Sequence, residues 1–176
     1  MGKLYAQDFD GKIFYKISKS SPEIRKLCYE SHYIEYKPNS LIRDTGDHFL
    51  CFTTGDRIST CIVYGDQLTE IIFDSANPLF QQIADEEVHC TSNGLGEYNS
   101  RAVITGQSYS LAEPETLQRI IDMTPRSTLW ILANTEEYEN DPFSIPQHLK
   151  KLGFKKSLEF WYSSIEKYKS GDWRNR

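Results

Sequence analysis

The sequence predicts a single α+β domain whose mixed, mostly antiparallel sheet carries helices on both faces. The chain has 176 residues, of which 39% are apolar and 13% aromatic, so it can form one sizeable core. Turn residues recur at about ten-residue spacing between β-branched runs over 48–73, which is typical of an antiparallel meander. Strand and helix patterns then alternate over 101–163, which indicates a right-handed βαβ unit.

The first half of the chain predicts mostly strands. Residues 4–17 predict a hairpin, because Asp10-Gly11 suits the positive φ angles of a tight type I′ turn. Ser21-Pro22 predicts the start of a helix, since serine caps helices well and proline suits the first helical position. The meander is predicted to hold strands at 48–53, 58–64 and 68–73, followed by a short helix at 78–83.

The second half predicts helices between strands. Apolar residues at helical spacing predict helices over 114–123 and 145–152, and Gly153 is placed to end the second helix. Residues 128–133 are apolar without alternation, which is typical of a strand covered on both faces. The predicted strands are 101–105, 128–133 and 157–163, the predicted domain is 1–164, and the predicted polar tail is 165–176.

Charge and cysteine content narrow the classes of protein. The 20 Lys and Arg residues against 25 Asp and Glu residues give a net charge of −5, which argues against a main task of binding nucleic-acid phosphates. None of the four cysteines forms a Cys-x-x-Cys pair, so we expect reduced thiols, no metal and a cytoplasmic protein. No apolar run approaches the ~20 residues of a membrane span, so we expect no membrane partner.

Two short segments carry a family resemblance. Residues 149–154 (Leu-Lys-Lys-Leu-Gly-Phe) resemble the Tyr-x-x-x-Gly-Phe segment of the GNAT acyltransferases. Residues 97–103 (Glu-Tyr-Asn-Ser-Arg-Ala-Val) are similar to the E-x-S-R-F-x-V stretch of the acyl-homoserine-lactone synthases, which are GNAT relatives. The predicted order of elements over 12–163 also resembles the GNAT fold. The resemblance implies transfer of an acyl group from an acyl thioester to an amine. The donor would be acyl-CoA or an acyl-carrier protein, bound as a substrate rather than as a tightly held cofactor.

The resemblance also implies a set of site residues. Glu97 or His148 would take the proton of the attacking amine as general base, and Arg101 would position donor or acceptor. The end of strand 101–105 and the segment after it would supply the rest. These residues are Ser108 and Tyr109 for the substrate, and Gly106, Gln107 and Ser110 for the donor.

Two alternatives stay open. The segment expected to bind the donor has a single glycine, and Glu113 and Glu115 at the next helix start would repel a pyrophosphate. The family's tyrosine falls at Leu149, which cannot give a proton. These departures favour a non-catalytic GNAT-like binding protein with a protein partner, of the immunity, antitoxin or phage-encoded interaction type. Residues 106–110 also resemble a G-x-S-x-G nucleophile elbow, which would make Ser108 the nucleophile of a serine hydrolase.

Overall fold

An antiparallel sheet of eight strands lies at the centre of the fold. The computed structural model describes residues 3–4, 6–44, 46, 49–84, 86–87, 90–92, 94–134, 141, 144–169 and 171. The strands are β1 (Lys3–Leu4), β2 (Lys12–Ser18), β3 (Leu41–Arg43), β4 (Leu50–Thr53), β5 (Gln67–Phe73), β6 (Cys90–Ser92), β7 (Glu97–Ser100) and β8 (Ala102–Ser110). Their order across the sheet is β1-β6-β7-β4-β2-β5-β8-β3.

Helices complete the α+β fold, which confirms the predicted class. The α-helices are α1 (Pro114–Met123), α2 (Arg126–Asn134), α3 (Ile145–Lys151) and α4 (Lys155–Lys169). The 3-10 helices are Ala6–Phe9, Pro22–Leu27, Gly55–Tyr64 and Phe80–Gln82. Among the described residues, no helix is long and apolar enough to span a membrane.

Two cores lie on opposite faces of the sheet. Strands β2 and β5 pair along their whole lengths, with Phe14 opposite Ile71 and Ile17 opposite Leu68. Because successive side chains of a strand point to opposite faces, these two pairs belong to different cores. The α-helices pack on the face of Ile17 and Leu68. Aromatic side chains, the loop around Tyr36 and short 3-10 helices cover the face of Phe14 and Ile71.

The sequence signals at α1 and α3 are confirmed. Helix α1 begins at Pro114 and buries the apolar positions that predicted it. The hydroxyl of Ser144 accepts a hydrogen bond from the Gln147 backbone N–H at 3.3 Å and so caps α3. Gly153, with φ of 74°, follows α3 in the left-handed conformation that glycine adopts without strain.

The predicted βαβ unit is wrong, because residues 128–133 and 157–163 are helical. Leu129 is buried in α2, whereas Ile131 two positions later is 55% exposed, so the apolar run is covered on one side only. Every described strand pairing is antiparallel, so the sheet is not mixed. Residues 128–133 therefore form no parallel strand pair with residues 101–105.

Helix α4 shows why the strand prediction failed there. Ser157, Trp161 and Ile165 are buried at a spacing of four residues, which is the period of a helix face. The predicted tail from residue 165 is also wrong at its start, since α4 continues to Lys169 with Ile165 in the core. Residues 172–176 of that tail lie outside the described residues.

Two predictions in the first half are also corrected. Residues 58–64 belong to the 3-10 helix Gly55–Tyr64, in which Ile58 and Ile62 are fully buried four residues apart. The N-terminal hairpin does not form, because β1 pairs with β6 rather than with β2. Gly11 still makes a turn with φ of 74°, but the turn joins a 3-10 helix to β2.

Candidate functional site

The sheet opens between β2 and β4. These neighbouring strands share a single residue pair, Tyr15 opposite Thr53. On its other edge β4 is paired with β7 along its full length, so the opening belongs to the β2 side. Continuing the register would place Ile17 opposite Cys51, yet no such pair forms. The strands therefore separate beyond Tyr15, and a cleft lies between them.

The cleft contains a cavity of about 290 Å³. All five consecutive residues Tyr15–Lys19 line the cavity. Because neighbouring strand residues point to opposite faces, a cavity lined by all of them lies against the strand edge rather than one face. Cys51 of β4 also lines the cavity, together with Cys61 and Tyr36. We call this cavity between β2 and β4 the edge cleft.

Lys16 spans the opening of the edge cleft. Its Nζ donates a hydrogen bond to the backbone carbonyl of Cys51 at 2.9 Å and lies 5.3 Å from the ring centroid of Tyr36. No carboxylate of the described residues forms an ion pair with it. Burial lowers the pKa of Lys16, and the neighbouring Lys19 ammonium contributes to the lowering. The cleft thus holds a half-buried lysine whose nearest acidic influence, the Glu30 carboxylate, acts on it from beyond ion-pair distance.

Lys19 is a second cation on the same wall. It is only 8% exposed, and no carboxylate within the described ranges forms an ion pair with it. Burial lowers the pKa of Lys19. The carboxylate of Asp66 accepts hydrogen bonds from the backbone N–H and hydroxyl of Ser20 and is held by them. Two lysines therefore face one cavity without direct acidic partners.

Tyr36 places its ring beside the edge cleft. The residue is 4% exposed, and its hydroxyl oxygen is buried without a hydrogen-bond partner in the described part of the chain. Burial raises the pKa of Tyr36, so the hydroxyl is protonated at neutral pH. Most buried polar groups in proteins are hydrogen-bonded, so this unpaired hydroxyl costs the fold stability.

An aromatic wall closes the cleft on the side of β4 and β7. Phe52 and Tyr98 line the cavity and stack with ring centroids 5.6 Å apart and an interplanar angle of 22°. Phe9 and Phe14 contact both of them edge-on. Such ring packing makes a rigid apolar surface. The edge cleft therefore combines an apolar wall with a cationic one.

The thiols of the cleft are not activated. Burial raises the pKa of the Cys61 thiol, so it is protonated at neutral pH and is a weak nucleophile. The Sγ atom of Cys51 lies 2.8 Å from Oδ1 of Asn99, to which a protonated thiol can donate. Within the described part of the chain, no group of three His, Cys, Asp or Glu side chains could hold a metal ion.

Glu97 is the sequence-predicted site residue that lines the edge cleft. Glu97 is the first residue of β7 and pairs with Thr53 of β4. On its other side Thr53 pairs with Tyr15 of β2. The Thr53 hydroxyl donates to the Gly96 carbonyl at 2.7 Å, and Gly96 adopts a φ of 77°. A tight turn therefore fixes the entry of Glu97 into its strand.

Arg101 does not join Glu97. The two residues stand at either end of β7, and four strand residues span about 13 Å. The guanidinium of Arg101 instead lies 5.1 Å from the ring centroid of Phe49, which is 48% exposed. The extended strand therefore separates the predicted base from the predicted positioning residue.

His148 lies in the core rather than in the edge cleft. It is 2% exposed, and its Nε2 is 2.7 Å from the carbonyl oxygen of Gly65. Because a carbonyl oxygen only accepts, Nε2 carries the proton. Burial lowers the pKa of His148, so the ring is neutral at neutral pH. The histidine ties α3 to the turn before β5.

The segment expected to bind the donor is a strand. Residues 106–110 continue β8, and Glu70 accepts hydrogen bonds there from the Gln107 backbone N–H at 3.0 Å and from the Tyr109 hydroxyl at 3.3 Å. The Glu70 carboxylate thus accepts from the Gln107 N–H, which a bound phosphate would need as its own donor.

The remaining predicted residues also have structural contacts. Gly106 accepts from the Asn39 N–H, Ser108 shares a hydrogen bond with Thr69, and the Ser110 hydroxyl accepts from the Ala112 N–H.

Sequence reasoning missed Lys16, Lys19 and Tyr36. A signal was present for Lys16, because it follows Phe14 by two positions in a predicted strand and so shares the face of a core residue. A lysine at such a position is either at the sheet margin or beside a cavity. Tyr36 lies in a segment without a periodic pattern, and its burial depends on contacts distant in sequence.

Comparisons with models of protein families, with curated proteins and with solved structures find nothing that matches this chain.

Proposed function

We propose that this domain binds a small organic molecule in the edge cleft. The carrying observation is the separation of β2 and β4 beyond the Tyr15–Thr53 pair, which encloses a cavity of about 290 Å³. Small-molecule sites are concave, mostly apolar and begin at about 300 Å³, with a few polar groups that fix orientation. The edge cleft lies at the lower end of that range, so its occupant is small.

The energetics of the cleft support a bound molecule. Lys16 and Lys19 lose hydration on burial and gain no ion pair among the described residues. This loss of hydration destabilises the empty protein, and a ligand that satisfies the two lysines would recover that free energy on binding.

Binding is favoured over catalysis because the thiols of the cleft are not activated and the predicted histidine base lies elsewhere. Burial raises the pKa of Cys61, and the predicted histidine base, His148, lies in the core. The GNAT-like order of elements required a strand at 128–133, where α2 lies. The alternative expectation from the sequence was a non-catalytic GNAT-like binding protein with a protein partner of the immunity, antitoxin or phage-encoded interaction type, and that partner stays a prediction.

A second candidate function is acyl transfer from a thioester to an amine. One observation favours it: Glu97, the predicted base, lines the edge cleft and can reach a molecule bound there. Incubation with an amine and acetyl-CoA, longer acyl-CoAs or an acyl-carrier protein would test it. Thioester cleavage that Glu97→Gln abolishes would establish this function, and no cleavage with any donor would remove it.

Binding itself is tested with a mixed panel of neutral, cationic and anionic fragments, followed by amide chemical shifts of the protein. We expect shifts at Tyr15–Lys19, Cys51 and Cys61. Cys61→Phe fills the cleft and should abolish them, while Cys28→Phe, which lies outside the cavity lining, should retain them. The melting temperature of each variant shows whether it folds. No shifts with any fragment, or shifts elsewhere only, would overturn the proposal.

A further inference from the structure

We infer that the ligand of the edge cleft is a singly charged carboxylate with a small apolar body. This inference rests on the proposed binding function and names the chemical class of its ligand. The first observation is the cationic wall. An ammonium group has three N–H donors, and Lys16 uses one of them on the Cys51 carbonyl. The remaining donors lie at the cavity, where a carboxylate would form a charge-assisted hydrogen bond.

Tyr36 holds the ammonium of Lys16 beside the cavity. Its ring centroid lies 5.3 Å from the Lys16 Nζ, and the residue lines the cavity. The hydroxyl oxygen of Tyr36 is buried and out of reach of the cavity. A carboxylate would therefore meet the ammonium of Lys16 and the ring of Tyr36, and not the hydroxyl.

The charged residues that line the cavity favour a ligand with a single negative charge. Lys16 and Lys19 stand on one wall, while Glu30 and Glu97 also line the cavity and are exposed. The two glutamates offset the two lysines. The second negative charge of a phosphate would therefore have no lysine of its own and would be repelled by both glutamates. A monocarboxylate adds one negative charge beside the lysines and leaves its body against the aromatic wall of Phe52 and Tyr98.

The test uses matched probes that differ in the charged group. Benzoate, phenylacetate and hexanoate are compared with benzamide, phenylacetamide and hexanamide, and with phenyl phosphate, by calorimetry and amide shifts. We expect the carboxylates to bind about tenfold or more tightly than their amides, because a hydrogen bond to a charged group is stronger than a neutral one. Phenyl phosphate should bind more weakly than benzoate.

Two variants locate the charged group. Lys16→Met keeps the length of the side chain without its charge and should weaken carboxylate binding about tenfold to a hundredfold. Lys12→Met removes an exposed lysine of the same strand and should leave the affinity unchanged. Lys16→Gln removes the charge but keeps an N–H donor for the Cys51 carbonyl, and it serves as the milder variant where Lys16→Met lowers the melting temperature.

The outcomes separate this inference from the binding function. Amides that bind as tightly as the carboxylates, with no effect of Lys16→Met, would overturn the carboxylate assignment while the cleft remains a binding site. Tighter binding of phenyl phosphate than of benzoate would overturn the single charge. Failure of every fragment in the mixed panel would overturn the binding function itself.

Discussion

The ammonium of Lys16 donates to the backbone carbonyl of Cys51 at 2.9 Å, across the opening between β2 and β4. In a closed ladder a backbone N–H of β2 would occupy that carbonyl. The side chain replaces the backbone donor, so the open junction keeps its hydrogen bond without closing. The opening between β2 and β4 is therefore a stable part of the sheet, and a ligand can enter it without breaking a backbone hydrogen bond.

His148 predicts a loss of stability in mild acid. Burial holds its pKa below the ordinary 6.5, although the Gly65 carbonyl favours the protonated ring. Below pH 6.5 the unfolded chain therefore binds a proton that the folded chain refuses. The free energy of unfolding should fall as the pH falls from 6.5 towards the folded pKa, by at most about 1.4 kcal/mol per pH unit.

The measurement is urea unfolding between pH 5 and 8, in wild type and in two histidine variants. His148→Gln removes the titrating ring and should flatten this part of the profile. His32→Gln changes an exposed histidine and should keep the wild-type slope. An unchanged slope in His148→Gln would show that another group governs the acid response.

Gly65 predicts a steric limit beside the same histidine. A Cβ atom there would lie 2.1 Å from the carbonyl oxygen of Ser18, a backbone atom that cannot move aside alone. We expect Gly65→Ala to destabilise the fold by about 3 kcal/mol or more. Gly11→Ala is the matched control, since its Cβ meets nothing within 4 Å and only its φ of 74° is unfavourable.

Urea unfolding of the two alanine variants separates the causes. Gly11→Ala should lose about 1–2 kcal/mol through backbone strain alone. Equal losses of unfolding free energy in both variants would contradict the close contact between Gly65 and the Ser18 carbonyl, because the backbone would then move aside without cost.

Trp161 is the buried aromatic side chain of α4. It is 2% exposed, whereas the next residue, Tyr162, is 39% exposed. Trp161→Ala should lower the free energy of unfolding by about 3–5 kcal/mol, because it leaves a large hole in the helical core. Tyr162→Ala should change it by about 0.5 kcal/mol or less. Thermal unfolding of both variants checks this, and a comparable loss in Tyr162→Ala would contradict the observed packing.

The sequence predicted the elements that have local signals. Helix α1 matches its prediction because Pro114 marks its start and its apolar face repeats at helical spacing. The turn at Gly153 was predicted on equally local grounds, since the chain needs a positive φ there. Strand β5 also agrees with its prediction, since Leu68 and Phe73 lie in a run of β-branched residues between turns.

The errors arise where short apolar runs fit either structure. Residues 128–133 read as a buried strand, but packing of α2 against α4 makes them helical. The candidate site could be predicted only in part for a related reason. Glu97 was identified from its strand motif, whereas Lys16 and Tyr36 meet through the β2–β4 separation, which has no local signature.

Tyr36 predicts a gain in stability without a change in binding. Its buried hydroxyl has no partner among the described residues, so the protein carries the desolvation of that group without compensation. Tyr36→Phe should therefore raise the free energy of unfolding by about 1 kcal/mol. The same change should leave carboxylate binding unchanged within about twofold, because the hydroxyl is out of reach of the cavity.

Urea unfolding without ligand and calorimetry with benzoate measure the two effects separately. Tyr162→Phe, which removes a hydroxyl from a residue 39% exposed, should change neither quantity by more than about 0.5 kcal/mol. A destabilised Tyr36→Phe would mean that the hydroxyl has a structural partner in solution, such as an ordered water. The hydroxyl would then stabilise the fold through that partner, as most buried polar groups do.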